Sequence, residues 1–349
     1  MRRWPAPAHA IAAALVLASC ATAHDSPETL ASEQFAGHAA TLTVREGTTE
    51  TLRFDVPQDT AALSILATSP DRDVLIQIGS LRLAGHTAYV ADPEDVSLLG
   101  SRRRDHEAVT GPAGFVQEVQ RGRFAFTYPF APGAELPAGP AAISFLVSGG
   151  TSLDVDIETI GPADRSLLAV TVFSPGERTL SEAARAGVDA IFGQAGISVT
   201  WDDRMLPVWA PGELSDLDDH GGSFRLLADT VATRSTGSVN LVVLDALPGG
   251  VSGVATGIPG PHDGAGSVFT VTFRDPDETA RLVAHEIGHL LGLRHLEDRS
   301  ADGVVVLNPI TDTRADAYNL MQFGTNLTDG QIEVLGLSPL LGMPAPDIP

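Results

Sequence analysis

The sequence predicts an α+β fold in two parts, an all-β sandwich over residues 36–160 followed by a mixed sheet with helices over 165–349. Three observations predict it. Between 41 and 157, short alternations of apolar and polar residues recur between Gly- and Pro-bearing turns, with no amphipathic helix among them. From 167 a continuous apolar strand, a capped helix and a further strand follow one another, and from 275 a second capped helix carries a cluster of histidines.

A chain of 349 residues, 43% of them hydrophobic, is long enough to bury two cores. The formal net charge of −22 excludes a nucleic-acid partner and electrostatic attraction to anionic lipid. All 22 basic residues are arginine.

At the N-terminus, Arg2 and Arg3 precede the apolar run Ile11-Ala12-Ala13-Ala14-Leu15-Val16-Leu17-Ala18. The run is too short to span a bilayer and has the layout of a secretory signal. It ends in Leu17-Ala18-Ser19-Cys20, which resembles the lipobox of bacterial lipoproteins. That resemblance implies a signal peptide over 1–19, cleavage before a lipidated Cys20, and a polar tether over 20–35. Several acyl chains hold a membrane where one would not. Ala21 lacks the aspartate that retains many such lipoproteins in the inner membrane, which implies the outer membrane, facing the periplasm or the surface. Cys20 is the only cysteine, so no disulfide forms, and with it lipidated no thiolate remains to block a metal site. No later apolar stretch is long enough for a transmembrane helix.

Thr41-Leu42-Thr43-Val44 and Thr51-Leu52-Arg53-Phe54-Asp55-Val56 alternate as half-buried strands do. Ala62 to Ile65, Val74 to Ile78, Arg123 to Phe126, Ile143 to Val147 and Leu153 to Ile157 continue the series. Phe54-Asp55-Val56-Pro57 and Leu136-Pro137-Ala138-Gly139 resemble parts of the jelly-roll modules appended to secreted bacterial peptidases. Ser101-Arg102-Arg103-Arg104-Asp105 reads as a solvated loop. The sandwich reads as a spacer that presents the C-terminal part of the chain.

Gly161-Pro162-Ala163-Asp164 marks the boundary. Leu167 to Phe173 is an unbroken apolar strand, and Thr179-Leu180-Ser181-Glu182 reads as a capping box. Leu180, Ala184, Val188 and Ile191 share one face of the helix it opens, which therefore packs on a sheet. Gly196 and the strand Ile197 to Trp201 follow. The acidic loop 202–221, with Asp216, Asp218, Asp219 and His220, has the composition for Ca2+, but its spacing matches no defined calcium motif and it reads as solvated. A helix over 223–233 leads into the buried strand Val239 to Leu244. The glycine-rich stretch Gly249 to Pro259 suits either an edge strand that another backbone can approach closely or an ordinary glycine-rich loop. His262 and Asp263 read as loop residues, and Val268 to Phe273 as a strand.

Asp275 is a suitable N-cap, Pro276 fits the first helical position, and Glu278 completes a box. Ala280, Val283, Ala284, Ile287 and Leu291 form the core stripe of the helix, leaving His285 and His289 on a different face. Residues four apart stand one above the other, so these two imidazoles project towards one point. Glu286 points near the same site without needing to ligate, which suits a carboxylate that takes a proton from an attacking water. Gly292 can adopt the left-handed conformation that reverses the chain, and His295 can return as a third nitrogen ligand. Three protein ligands leave one position of a zinc ion open, the catalytic arrangement.

The pattern His285-Glu286-x-x-His289-x-x-Gly292-x-x-His295 resembles that of metzincin zinc metallopeptidases. The resemblance covers mainly 275–335, and Tyr318-Asn319-Leu320-Met321-Gln322-Phe323 is similar to the family's methionine turn. It promotes Met321, which alone would read as a flexible core filler. It also implies that the edge strand at Gly253, Val254 and Ala255 pairs with extended substrate. Ile310-Thr311-Asp312-Thr313 is similar to pappalysin-like and related bacterial members, and Leu327-Thr328-Asp329-Gly330-Gln331 opens a short terminal helix familiar from the group. Two departures leave the family within the clan unassigned. Leu296 stands where several families have an acidic residue, serine or proline. Phe323 stands where some place a tyrosine that reaches the metal. Residues 338–349 read as a frayed tail.

The function expected is therefore zinc-dependent endopeptidase activity, with one catalytic Zn2+ on His285, His289 and His295 and Glu286 as general base. The substrate would be protein or peptide, and the enzyme would be anchored through its N-terminal lipid. The competing expectation is a non-catalytic surface lipoprotein whose sandwich binds a partner and whose zinc is structural. Retention of Glu286 speaks against it, because a closed structural site has no use for a carboxylate there.

Overall fold

The computed structural model describes residues 38–90, 107–110, 116–161, 166–175, 179–206, 227, 230–231, 237–244, 246–247, 251–263, 266–271, 273–295, 297–299, 305–310, 312–313, 318–322 and 324–342. The signal peptide, Cys20 and the tether lie outside them, as do the arginine run, most of the acidic loop, Leu296, Phe323 and the last seven residues.

Eleven strands build an antiparallel ladder in the N-terminal half. They are β1 His38–Arg45, β2 Thr48–Thr49, β3 Leu52–Val56, β4 Ala62–Thr68, β5 Leu75–Leu83, β6 His86–Val90, β7 Glu107–Thr110, β8 Val116–Arg121, β9 Arg123–Tyr128, β10 Gly139–Val147 and β11 Ser152–Ile160. Along the main path the order is β7-β8-β5-β10-β2-β1-β11-β4-β9, with β3 beside β10 and β6 beside β5. β1 joins the two halves of this ladder. Its residues 38–43 pair with β11, while Val44 and Arg45 pair with β2. Leu63 and Ile65 of β4, Ile76 and Ile78 of β5, Ile143 and Phe145 of β10, and Val155 and Ile157 of β11 all belong to one apolar cluster, so both halves of the ladder share a core. The alternation is clear in β11, where Leu153, Val155 and Ile157 are buried and Asp154, Asp156 and Glu158 exposed.

A separate five-stranded sheet follows, from β12 Leu167–Pro175, β13 Ser198–Leu206, β14 Val239–Leu244, β15 Gly253–Ala255 and β16 Ser267–Val271, in the order β13-β12-β14-β16-β15. All its pairings are parallel except β15 with β16. Parallel β12 and β13 require a crossover, supplied by α1 Glu182–Gly193. Its N-cap is Ser181, whose side chain accepts the Ala184 N–H, two residues later than the box expected at Thr179. Thr179 instead donates its hydroxyl to Asp203 on β13 at 2.7 Å. The expected face is buried, with Leu180, Ala184, Val188 and Ile191 all in the second core.

The second long helix, α2 Pro276–Leu290, lies in that same core. Each fully buried Val or Ile of its stripe contributes roughly 1.5–3 kcal/mol. Gly187 of α1 brings the two helices together, because a Cβ placed there would sit 2.6 Å from the Cβ of Ala280. A short hairpin of β17 Glu297–Arg299 and β18 Val305–Leu307 and the helix α3 Asp329–Gly336 complete the described elements. The terminal helix expected there opens on a complete capping box, with Thr328 and Gln331 bonding reciprocally. Of the helix expected over 223–233, Leu227, Thr230 and Val231 are described and helical. No helix among the described residues is long and apolar enough to cross a membrane.

Both cores belong to one compact unit. His262 joins them. Buried in its turn, it places Nδ1 3.0 Å from Ser64 Oγ on β4 and Nε2 3.2 Å from Asp156 Oδ2 on β11. Asp263 pairs with Arg123 of β9, and the Gly133 N–H donates to Glu333 of α3 at 2.6 Å. His262 and Asp263 are loop residues, as expected, but they also dock the loop onto the sandwich.

Candidate metal centre

Asp275 caps α2 by accepting the Asp277 N–H at 2.9 Å, with Pro276 next in the chain. Thr279 Oγ1 adds a second tie by accepting the Phe273 N–H at 2.9 Å. With the apolar stripe Ala280, Val283, Ala284, Ile287 and Leu291 fully packed, the helix cannot rotate, and the orientation of its other residues is fixed. His285 and His289, one turn apart, have ring centroids 4.8 Å apart. Gly292 then takes φ +104°, a left-handed value that a side chain would strain. The chain doubles back, Leu293 N–H bonding Gly288 O at 2.8 Å. His295 returns with its Nε2 3.1 Å from His285 Nε2 and 3.2 Å from His289 Nε2.

Three histidines here can hold one metal ion.

The donor set fits zinc. Tetrahedral ligands at about 2.0–2.1 Å from a common centre stand roughly 3.3–3.4 Å from one another, close to the separations found. The two imidazoles on the helix are held in the tautomer that metal binding would need. His285 Nδ1 donates to Leu320 O and His289 Nδ1 to Leu293 O, each at 2.8 Å, which leaves both Nε2 lone pairs facing inward. Burial, with the nearby charges of His295 and Arg281, pushes the His285 pKa down to about 4 against the pull of its carbonyl partner. Burial foremost lowers His289 as well. Both imidazoles are therefore neutral at neutral pH and open to a cation.

Glu286 is 6% exposed. Burial pushes its carboxyl up to about 7, opposed by the charge of His295 and by the hydrogen bond it accepts from the Ala255 backbone. The expected edge strand is thus beside the expected base. Among the described residues β15 is the last strand of its sheet, and Gly253, Val254 and Ala255 pair on one side only, with Thr270, Phe269 and Val268.

Met321 itself is fully buried below the helix, where a Cβ on Gly288 would come 3.3 Å from its sulfur. The turn is legible in the sequence, but what holds it is not. Asn319 and Gln331, both fully buried, exchange side-chain hydrogen bonds of 2.7 and 3.0 Å, and Asn319 Oδ1 also accepts the Met321 N–H at 2.9 Å. Asn308 similarly steadies the segment that carries His295, its Nδ2 donating to the carbonyls of Arg294 at 2.8 Å and His295 at 3.1 Å. Nothing local in sequence indicates the partners of either asparagine.

No protein-family model matches the chain. No curated protein matches it either. Among solved structures it is similar to archaemetzincin from Methanopyrus kandleri, at 17% identity over 51% of this chain and 90% of that one, with a TM-score of 0.31. Metalloproteinase-II from Bacteroides fragilis is 14% identical over 86% of this chain and 87% of its own, also at 0.31. A zinc-dependent peptidase from Methanocorpusculum labreanum is 14% identical over 49% and 94%, at 0.24. At such scores these likenesses assign neither fold nor activity to this chain.

Proposed function

We propose that the chain is a zinc-dependent endopeptidase of the metzincin type, its second core forming the peptidase domain and its first a jelly-roll-like sandwich. The observation that carries the reading is the buried Glu286 carboxyl between three convergent histidines and an unpaired strand edge. Zinc held by His285, His289 and His295 would lower the pKa of a water and polarise the scissile carbonyl.

The chain's own groups supply the rest. An extended peptide adds to the edge of β15 through the outward main-chain groups other than the Ala255 N–H, which Glu286 holds, and this brings a peptide bond over the histidines. The Glu286 carboxylate accepts the proton of the attacking water and passes it to the leaving amine. Met321 and the Asn319–Gln331 pair keep the floor of the site fixed, and the Leu293 and Leu320 carbonyls hold the imidazole orientations.

The sequence of the N-terminus supports export and lipidation at Cys20, with the enzyme carried on the outer membrane. Mass spectrometry of the mature protein should find an acylated N-terminal Cys20; an unmodified thiol there contradicts the anchor. For the activity, a mixed peptide library incubated with the zinc-loaded protein should be cleaved. A chelator should stop the cleavage and added zinc restore it; cleavage indifferent to the chelator contradicts the reading.

A further inference from the structure

Gly253 has no conformational reason to be glycine, since its φ is not among the positive values of the chain. Its reason is space. A Cβ on Gly253 would lie 2.6 Å from Glu286 Oε1 and 2.7 Å from Glu286 Cγ. The strand pairing shows which way the neighbouring backbone groups face. Val271 N–H bonds Ser252 O at 2.9 Å and Thr256 N–H bonds Ser267 O at 3.0 Å. Backbone groups alternate along an antiparallel strand, so Ser252, Val254 and Thr256 face β16 while Gly253 and Ala255 face the open edge. The outward Ala255 N–H is the one that Glu286 accepts. Thr270, directly opposite Gly253, shares its face of the sheet and is fully buried, with its hydroxyl unpartnered.

We propose that Gly253 is a positioning residue, its missing side chain forming the niche that holds the Glu286 carboxylate between the edge strand and the three histidines. The inference rests on the reading of Glu286 as the proton acceptor. A methyl group at 253 meets the Glu286 side chain from its Cγ to its carboxylate, so that side chain has to turn out of the niche.

The test is Gly253→Ala in the full chain, read in two ways. In the metal-free protein the Ala255 amide should exchange its hydrogen slowly in the wild type and faster in both Gly253→Ala and Glu286→Ala. In the zinc-loaded protein Gly253→Ala should keep one zinc per chain and a near-wild-type KM, while kcat falls about 100-fold, the effect of a reacting group displaced by about 1 Å. Equal exchange at Ala255 in the wild type and Glu286→Ala overturns the niche, as does an undiminished kcat in Gly253→Ala. If Gly253→Ala does not fold, the Glu286→Ala exchange result decides alone. A wild type that hydrolyses no peptide sinks the peptidase reading, while the exchange result still decides the niche.

Discussion

His285 Nδ1 lies 2.8 Å from the carbonyl oxygen of Leu320, so the first histidine of the cluster is oriented by the backbone of a turn 35 residues away. That turn is held by the neighbouring Asn319 through its pair with Gln331. Replacing Asn319 with Ala removes the acceptor of the Met321 N–H and leaves a buried Gln331 amide half satisfied. Leaving such a group unpaired costs about 1–3 kcal/mol. Asn319→Ala should therefore lower the melting temperature of the metal-free protein. It should also weaken zinc binding, by roughly 10- to 100-fold, as loss of an orienting partner does. Competition titration with a chromophoric chelator measures the second effect; unchanged affinity would show that the turn does not set the ligand.

The close approach of α1 to α2 gives a stability prediction. Gly187→Ala forces two methyl groups against each other at a helix crossing where neither is the end of a flexible chain. Overpacking of this kind costs about 1–3 kcal/mol. Ala280→Gly should recover much of that cost in the double variant, because the two positions are in direct contact. Denaturant unfolding of the two single variants and the double variant checks this, and additive effects would contradict the contact.

Glu286 makes metal-free stability depend on pH. Its pKa is raised from 4.5 to about 7 by burial, so the folded state holds a proton that the unfolded state has released. The stability linked to that proton is fully present below pH 4.5 and is lost as the pH rises through about 7. The wild type should lose on the order of 3 kcal/mol relative to Glu286→Gln across that window. His285, lowered to about 4, acts in the opposite sense as the pH rises from about 4 to 6.5, but it is common to both proteins and drops out of the difference. Melting curves of the two metal-free proteins from pH 4 to 8 provide the measurement; parallel curves would contradict a buried, proton-holding Glu286.

Much of the site was legible because its signals are local. Asp275, Pro276 and the stripe from Ala280 to Leu291 announce a helix by cap and period, and Gly292 announces the reversal that returns His295. The central strands were legible by alternation in β11 and by unbroken apolar character in β14. The short strands β6, β7 and β8 and the hairpin β17–β18 gave no such pattern. Thr179 looked like a cap because its residue type suits one, yet Asp203 on the neighbouring strand takes its hydroxyl. Asn319 with Gln331, His262 with Ser64, and Gly253 with Glu286 depend on partners 12, 198 and 33 residues away, which no periodicity encodes. Such contacts are properties of the packed chain.

The central claim, that Glu286 acts as proton acceptor beside a zinc ion held by three histidines, is tested most directly by Glu286→Gln loaded with zinc. Metal content and peptide hydrolysis are measured on the same sample. Glu286→Gln should bind one zinc per chain as the wild type does, because its three histidines are untouched, and should lose hydrolysis by several orders of magnitude. A fully active, zinc-loaded Glu286→Gln would contradict the account.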